Sequence, residues 1–244
     1  MNAKSTVLNT RPFQAFFLAS KDLIHLAEPY YEQIELHRND YNKTGVLRPL
    51  SQNVWRLDKS CSIGSFLAQY AGLDAFINCA FNEFKLHPIS ALPDEFFIGD
   101  VVKYKKDLLK KQFESWYVGT RAFMLLPLCS DPMIDPSTVF DIYSKEWKKF
   151  EELVQIRHSF NHASAVKVPM ELTKTGPKFW AANDDFLENS WPLTKTHKDH
   201  RSLNYRATSE LNQVIDWVVK NLMTALPDKL NDDFMTNEKM QLLT

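Results

Sequence analysis

EELVQIRHSFNHA, residues Glu151 to Ala163, is a helical run that carries a tight group of reactive side chains: Arg157, His158, Asn161 and His162 fall within six consecutive residues. An α-helix turns roughly 100° per residue. With Arg157 at zero, Asn161 falls near ~40°, His158 near ~100° and His162 near ~140°, so the four share one side. Leu153, Ile156, Phe160 and Ala163 lie between ~240° and ~320°, an apolar stripe that faces the other way and anchors the helix in a core. Phe150 and Val154 fall near ~20° and ~60°, beside Arg157 and Asn161. Apolar groups on both sides predict two neighbours: the domain core, and either a partner chain or a cleft between helices.

The polar side has a definite chemistry. Histidine exchanges protons near neutral pH and suits general acid or base work. Arginine offers a permanent charge in a fork that matches a phosphate. Asparagine supplies a neutral donor and acceptor that orients either. Together they can hold a phosphodiester and move its protons without a metal. The competing reading is a solvated helix face with no duty. Eight arginines and seven histidines stand in the chain, and an Arg–His pair at one of three permitted spacings arises by chance roughly 0.7 times. The rest of the chain has to decide.

Composition narrows the classes. The 244 residues suffice for one large domain with insertions. Basic and acidic residues number 29 and 30, for a net charge of −1, so nucleic-acid binding would have to be local rather than driven by a global basic field. Gly is scarce at 6, neither GxGxxG nor GxxxxGK[ST] occurs, and hairpin-rich β architectures are disfavoured. Cys61, Cys79 and Cys129 form no CxxC pair, which argues against a disulfide framework or cysteine zinc site and fits a reducing cytoplasm. The start, MNAKSTVLNTRPF, lacks an apolar signal core, and the run from Ala122 to Cys129 is too short to span a bilayer. A cytoplasmic protein without membrane contact is expected.

Taken in order, Phe13, Phe16, Phe17, Ile24 and Leu26 recur at helical spacing after Arg11-Pro12, until Pro29 interrupts. A second piece runs from Tyr30 to about Tyr41, and Gly45 to Asn53 reads as a loop. His25 and His37 read as incidental. Ser60 to Leu86 is the strongest helix, with Ile63, Phe66, Leu67, Tyr70, Leu73, Ile77, Phe81 and Phe84 at steps of three and four. Asp74 and Asn78 sit one turn apart beside that stripe, either as a wetted shoulder or as support for the Arg157 face. Asp94 to about Tyr117 reads as a further helix, whose Lys103, Lys106 and Lys110, with aromatics nearby, are either an RNA-tracking face or a solvated one. Gly119 to Pro136 reads as an irregular connection, and Ser137 as the N-cap of a helix through about Val166. Residues 167–201 read as a loop-rich insertion with a short hairpin at Val168–Thr173 and Lys178–Ala181. Leu203 to Leu226 is a helix, and the residues after Pro227 are a tail that is loose or packs on a partner.

This order resembles the HEPN family (higher eukaryotes and prokaryotes nucleotide-binding). The long helix reading AQYAGLDAFINCAFNEF, with its Ile77-Asn78 step, is similar to that family's first core helix. ELVQIRHSFNHA supplies Arg157, four intervening residues and His162, matching the R-x4–6-H motif, and the last helix reads TSELNQVIDWVVKNLM. The resemblance covers residues 60–226 and implies an all-α, antiparallel helical bundle, with residues 1–59 as an N-terminal helical extension and 227–244 as a tail. It further implies a metal-independent endoribonuclease that needs no cofactor, acts on RNA as a homodimer with the Arg157–His162 helices facing, and serves as a toxin or anti-phage effector, with a possible antitoxin or defence-system partner. The 2′-hydroxyl attacks the neighbouring phosphate to leave a 2′,3′-cyclic phosphate. His162 would be the general acid or base, Arg157 the phosphate clamp, and His158 and Asn161 would orient the site. Departures are Ser164, where one toxin branch has a modifiable tyrosine, and the segments before Ser60 and at 167–201, which find no counterpart.

Two other readings stay open. One is a catalytically silent HEPN-like dimerisation module, or one that binds nucleotide or RNA. The other is a zinc hydrolase using His158 and His162 at helical ligand spacing with His197 and His200, although Ser159 stands where an HExxH motif has glutamate.

Overall fold

Pro29 does not end the first helix. In the computed structural model of the protein, α1 spans Pro12–Thr44 with Pro29 inside it. A proline there forfeits one helical hydrogen bond and crowds the preceding turn, at about 3 kcal/mol. Phe13, Ser20, Ala27 and Ile34 recur every seven residues on both sides of Pro29, each at most 3% exposed, and this continuous buried line holds the helix through the defect. Gly45, with φ +67°, closes α1 by donating its N–H to the Tyr41 carbonyl at 2.8 Å, a backbone conformation that favours glycine. The structure describes residues 11–46, 48–97, 108, 111–161, 171–173, 176–178, 191–196 and 203–235.

α2 spans Gln52–Phe84, two turns longer at its start than the apolar pattern indicated. Ser51 opens it, its hydroxyl accepting from the Asn53 N–H at 3.3 Å. The residues expected to form a helix from Asp94 to Tyr117 do not form one continuously: short 3₁₀ turns occupy Asp94–Phe96 and Phe113–Ser115, and Gln112 between them is extended. The Phe113 ring stacks on Phe81 at 3.9 Å and Trp116 is buried beside it. A 3₁₀ turn brings residues three apart onto one line, which suits that pair. Lys103, Lys106 and Lys110 lie outside the described residues.

The expected irregular connection after Gly119 is instead helix α3, Val118–Cys129. Eleven of its 12 residues are buried, so it has no polar face and shows no 3.6-residue pattern, and burial overrides Pro127. α4, Lys145–Asn161, begins eight residues after Ser137. Ser144 is its cap, accepting from the Trp147 N–H at 3.1 Å, while Ser137 lies in a 3₁₀ turn capped by Asp135. The rest of the expected helix, to Val166, lies outside the described residues. A hairpin pairs β1, Glu171–Thr173, antiparallel with β2, Gly176–Lys178. Its second strand starts earlier than expected, and residues 168–170 and 179–181 lie outside the description. α5 runs Tyr205–Ala225 as the periodicity indicated, capped by Asn204. α6 is Asp232–Met235.

Among the described residues the fold is all-α apart from this small hairpin. The chain folds into two compact units: Met1–Ala19, Ala71–Phe140 and Val218–Thr244 form one, and Ser20–Tyr70 with Asp141–Trp217 the other. In the first, Phe13, Phe76 and Phe84 gather around Phe234 of α6 at centroid distances of 5.1, 5.6 and 5.2 Å, so the tail is seated as far as Met235. Gln14 donates to the Met235 carbonyl at 2.7 Å.

In the second unit, hydrogen bonds and ring contacts fix the helix directions. Along α1 and α2, Ser20 meets Ser65 while Leu23 lies over Gly64, so the numbers run in opposite senses. Along α2 and α4, Phe66 meets Phe160 and Tyr70 meets Arg157, again opposed. Along α2 and α5, Thr208 bonds the Ser62 carbonyl at 3.3 Å, Asn212 the Ser65 hydroxyl at 3.0 Å, and Gln69 the Asp216 carboxylate at 2.7 Å, so these two run parallel. The four segments therefore alternate in direction along the chain. No helix among the described residues is long and apolar enough to cross a membrane.

Candidate functional site

α4 is held by Trp147, Phe150, Leu153 and Ile156, each at most 2% exposed. Phe150 therefore belongs to the core of its own unit, in edge contact with Trp147 at 5.5 Å. It does not form the second apolar surface that helical-wheel angles suggested. Residues three and four apart both face inward on a helix packed against several neighbours, so the buried arc is wider than one stripe. Val154 is half-buried.

At the other end of α4, Phe160 packs on Phe66 at 5.8 Å and Arg157 places its guanidinium over the Tyr70 ring at 5.4 Å. Phe66 in turn lies 6.5 Å from Tyr70. Two α4 residues one turn apart thus clasp two α2 residues one turn apart. Arg157 is half-buried, and among the described residues no carboxylate pairs with it. His158, next to it, is exposed. Ser159 turns its hydroxyl back onto the Ile156 carbonyl at 2.6 Å. Asn161 is the last helical residue described, its side chain outside the description, and His162 lies wholly outside.

Asp74 and Asn78 are occupied by a residue that the sequence motifs did not single out. Arg121 of α3, 5% exposed, donates to the Asp74 carboxylate, to Asn78 Oδ1 at 2.7 Å and, through Nε, to the Trp116 carbonyl at 3.0 Å. An arginine inside VGTRAFMLLPLC was the available signal, because a charge embedded in an apolar helix requires partners. The two arginines therefore differ in kind. Arg121 spends its donors on a carboxylate, an amide and a carbonyl. Arg157 rests on a ring, which accepts no donor that a phosphate oxygen would use.

Five residues before Arg157, the Glu152 carboxylate accepts from the Leu193 N–H at 3.0 Å and the Thr194 N–H at 2.8 Å, tying residues 191–196 to α4. Beside that tie lies a cavity of ≈ 210 Å³ lined by Glu146, Lys149, Thr194, Glu210, Val214 and Trp217. It sits ~12 Å or more along the helix from Arg157, at 1.5 Å per residue, and is a separate feature. Burial pushes the Cys129 thiol up to about 12, against the opposing pull of Lys229 and Lys85, so it is not a thiolate nucleophile at neutral pH. Among the described residues no group of three or more His, Cys, Asp or Glu is arranged to hold a metal ion; His162, His197 and His200 lie outside them. No protein-family model, curated protein or solved structure matches the chain.

Proposed function

We propose that the protein is a metal-independent endoribonuclease of the HEPN type. The observation that carries the reading is Arg157: a half-buried arginine whose guanidinium lies over the Tyr70 ring, without a carboxylate partner among the described residues, beside an exposed histidine. A cation held in that way favours an oxyanion ligand, because a phosphate supplies the charge and the acceptors that no described residue gives it. His162, five residues on in the sequence, adds a proton carrier.

In the proposed reaction the RNA 2′-hydroxyl loses its proton and attacks the adjacent phosphorus. The bond from phosphorus to the 5′-oxygen breaks, leaving a 2′,3′-cyclic phosphate, and the departing 5′-oxygen takes up a proton to become a 5′-hydroxyl. Arg157 holds the non-bridging oxygens, whose negative charge concentrates in the transition state. His162 is the proton-transfer group, while His158 and Asn161 orient the phosphate. The working form is a homodimer in which two such helices face each other, acting as a toxin or defence effector on cellular RNA.

The test is cleavage of a pool of structured and single-stranded RNAs in EDTA, with fragment ends identified, for wild type, Arg157→Ala and His162→Ala. Cleavage with cyclic-phosphate ends that falls by about 10²-fold or more in each variant supports the assignment. Folded wild-type protein that leaves the whole pool intact overturns it and favours the silent dimerisation or nucleotide-binding module.

A further inference from the structure

We propose that Tyr70 is a positioning residue for Arg157, fixing the guanidinium at the site without consuming its hydrogen-bond donors; the inference rests on the ribonuclease reading. Tyr70 is the α2 residue whose ring underlies Arg157, with 5.4 Å from the guanidinium carbon to the ring centroid, inside the range of cation–π attraction. The ring is itself located, since Phe66 lies 6.5 Å from it and packs on Phe160 at 5.8 Å. Phe160 and Arg157 are one turn apart on α4, so whatever seats Phe160 also sets where Arg157 meets Tyr70.

An arginine needs such a hold because its side chain carries many rotamers, and each that misses the phosphate lowers the reactive population. A carboxylate would fix it more tightly, as Asp74 does for Arg121, but would also neutralise it and occupy the fork. An aromatic face orients the charge and leaves the N–H groups for oxygen acceptors. The role therefore belongs to the ring and not to the hydroxyl.

That distinction sets the experiment. Tyr70→Phe keeps the ring and is expected to retain most of the kcat for RNA cleavage in EDTA. Tyr70→Leu keeps bulk without the ring and is expected to lose about fivefold in kcat, the factor that one cation–π contact supplies. In an Arg157→Ala background Tyr70→Leu should cost nothing further, since the group it positions is gone. Melting temperatures of all variants show that each is folded. The proposal is overturned if Tyr70→Leu cleaves as wild type does, if Tyr70→Phe falls as far as Tyr70→Leu, or if Tyr70→Leu adds its full loss to Arg157→Ala.

A second readout separates this failure from failure of the ribonuclease reading. Inorganic phosphate is titrated into ¹⁵N-labelled protein while the Arg157 Nε–H resonance is followed. Weaker phosphate binding in Tyr70→Leu than in wild type and Tyr70→Phe supports the positioning role even where wild type cleaves no RNA. Equal binding in all three overturns it.

Discussion

Replacing Asp74 by alanine tests whether that carboxylate serves the fold or the site. The substitution removes the carboxylate that pairs with Arg121 while leaving Arg121 in place. The arginine side chain is 6% exposed and that of Asp74 40%. Breaking a fully buried pair on one side costs about 3–5 kcal/mol, whereas an exposed pair contributes about 0–1 kcal/mol. Asp74 has one side in water, and Arg121 keeps its bonds to Asn78 and to the Trp116 carbonyl. The expected loss lies between those limits, at about 2 kcal/mol, or a fall of roughly 4–8 °C in Tm for a chain of this size. Asp74→Asn, which keeps an acceptor and loses the charge, should cost about half as much. Urea denaturation followed by circular dichroism measures both, and RNA cleavage well below the transition should be unchanged per folded molecule. Stability within about 0.5 kcal/mol of wild type would refute the assignment of Asp74 to Arg121. A loss of cleavage in fully folded protein would return Asp74 to the site.

Two glycines of α2 should respond in opposite ways to the same substitution. A methyl at Gly72 would stand 2.7 Å from two ring carbons of Phe17, so Gly72→Ala is expected to destabilise by about 1 kcal/mol, the overpacking outweighing the gain in helix propensity. At Gly64 the nearest atom is the end of Leu23 at 3.2 Å, which can turn aside, so Gly64→Ala should be neutral or stabilising in the same urea titration. Asp58 should give the protein an acid-side pH dependence. Burial pushes its carboxyl above the ordinary 3.8, against hydrogen bonds from the Tyr205 N–H and Ser62 hydroxyl. The folded form then holds the proton more tightly than the unfolded one, so this contribution is full below 3.8 and is lost as pH rises through the folded value. Asp58→Asn should therefore gain stability relative to wild type between pH 3.5 and pH 7 in paired denaturation curves, about the acid range in which a raised carboxyl titrates; a constant difference across that range would count against it.

The sequence showed helices wherever one side of a helix meets water. α5 and the second half of α2 carry that alternation and were legible to within a few residues. α3 was not, because a helix buried all round has no polar face to generate a period, and Pro127 read as a break. Pro29 misled in the same way: local chemistry argued for a stop, and the buried line from Phe13 to Ile34 outweighed it. At the site, the grouping of Arg157 and His158 on one helix followed from spacing alone. The partners did not. Tyr70 reaches Arg157, and Arg121 reaches Asp74 and Asn78, across dozens of residues, and those pairings are made by packing, which no local pattern records. Phe150 shows the complementary error, since wheel angles assume a narrower inward face than a helix among several neighbours presents.

The parallel pairing of α2 with α5 bears on how the chain is made. Ser20 and Ser65 are 45 residues apart, so the α1–α2 hairpin can close soon after its second helix emerges from the ribosome. The bonds from Asn212 to Ser65 and from Gln69 to Asp216 each span 147 residues. At a synthesis rate of about 5–20 residues per second, the polar edge of α2 waits on the order of 10 s for its partner. During that interval the Ser65 hydroxyl has Ser20 and the Ser62 hydroxyl has Asp58, while water must satisfy the Gln69 amide, 7% exposed in the finished fold. Placing hydroxyls and an amide there, rather than leucines, gives the nascent hairpin a surface that remains hydrated instead of sticky until the last long helix arrives to cover it.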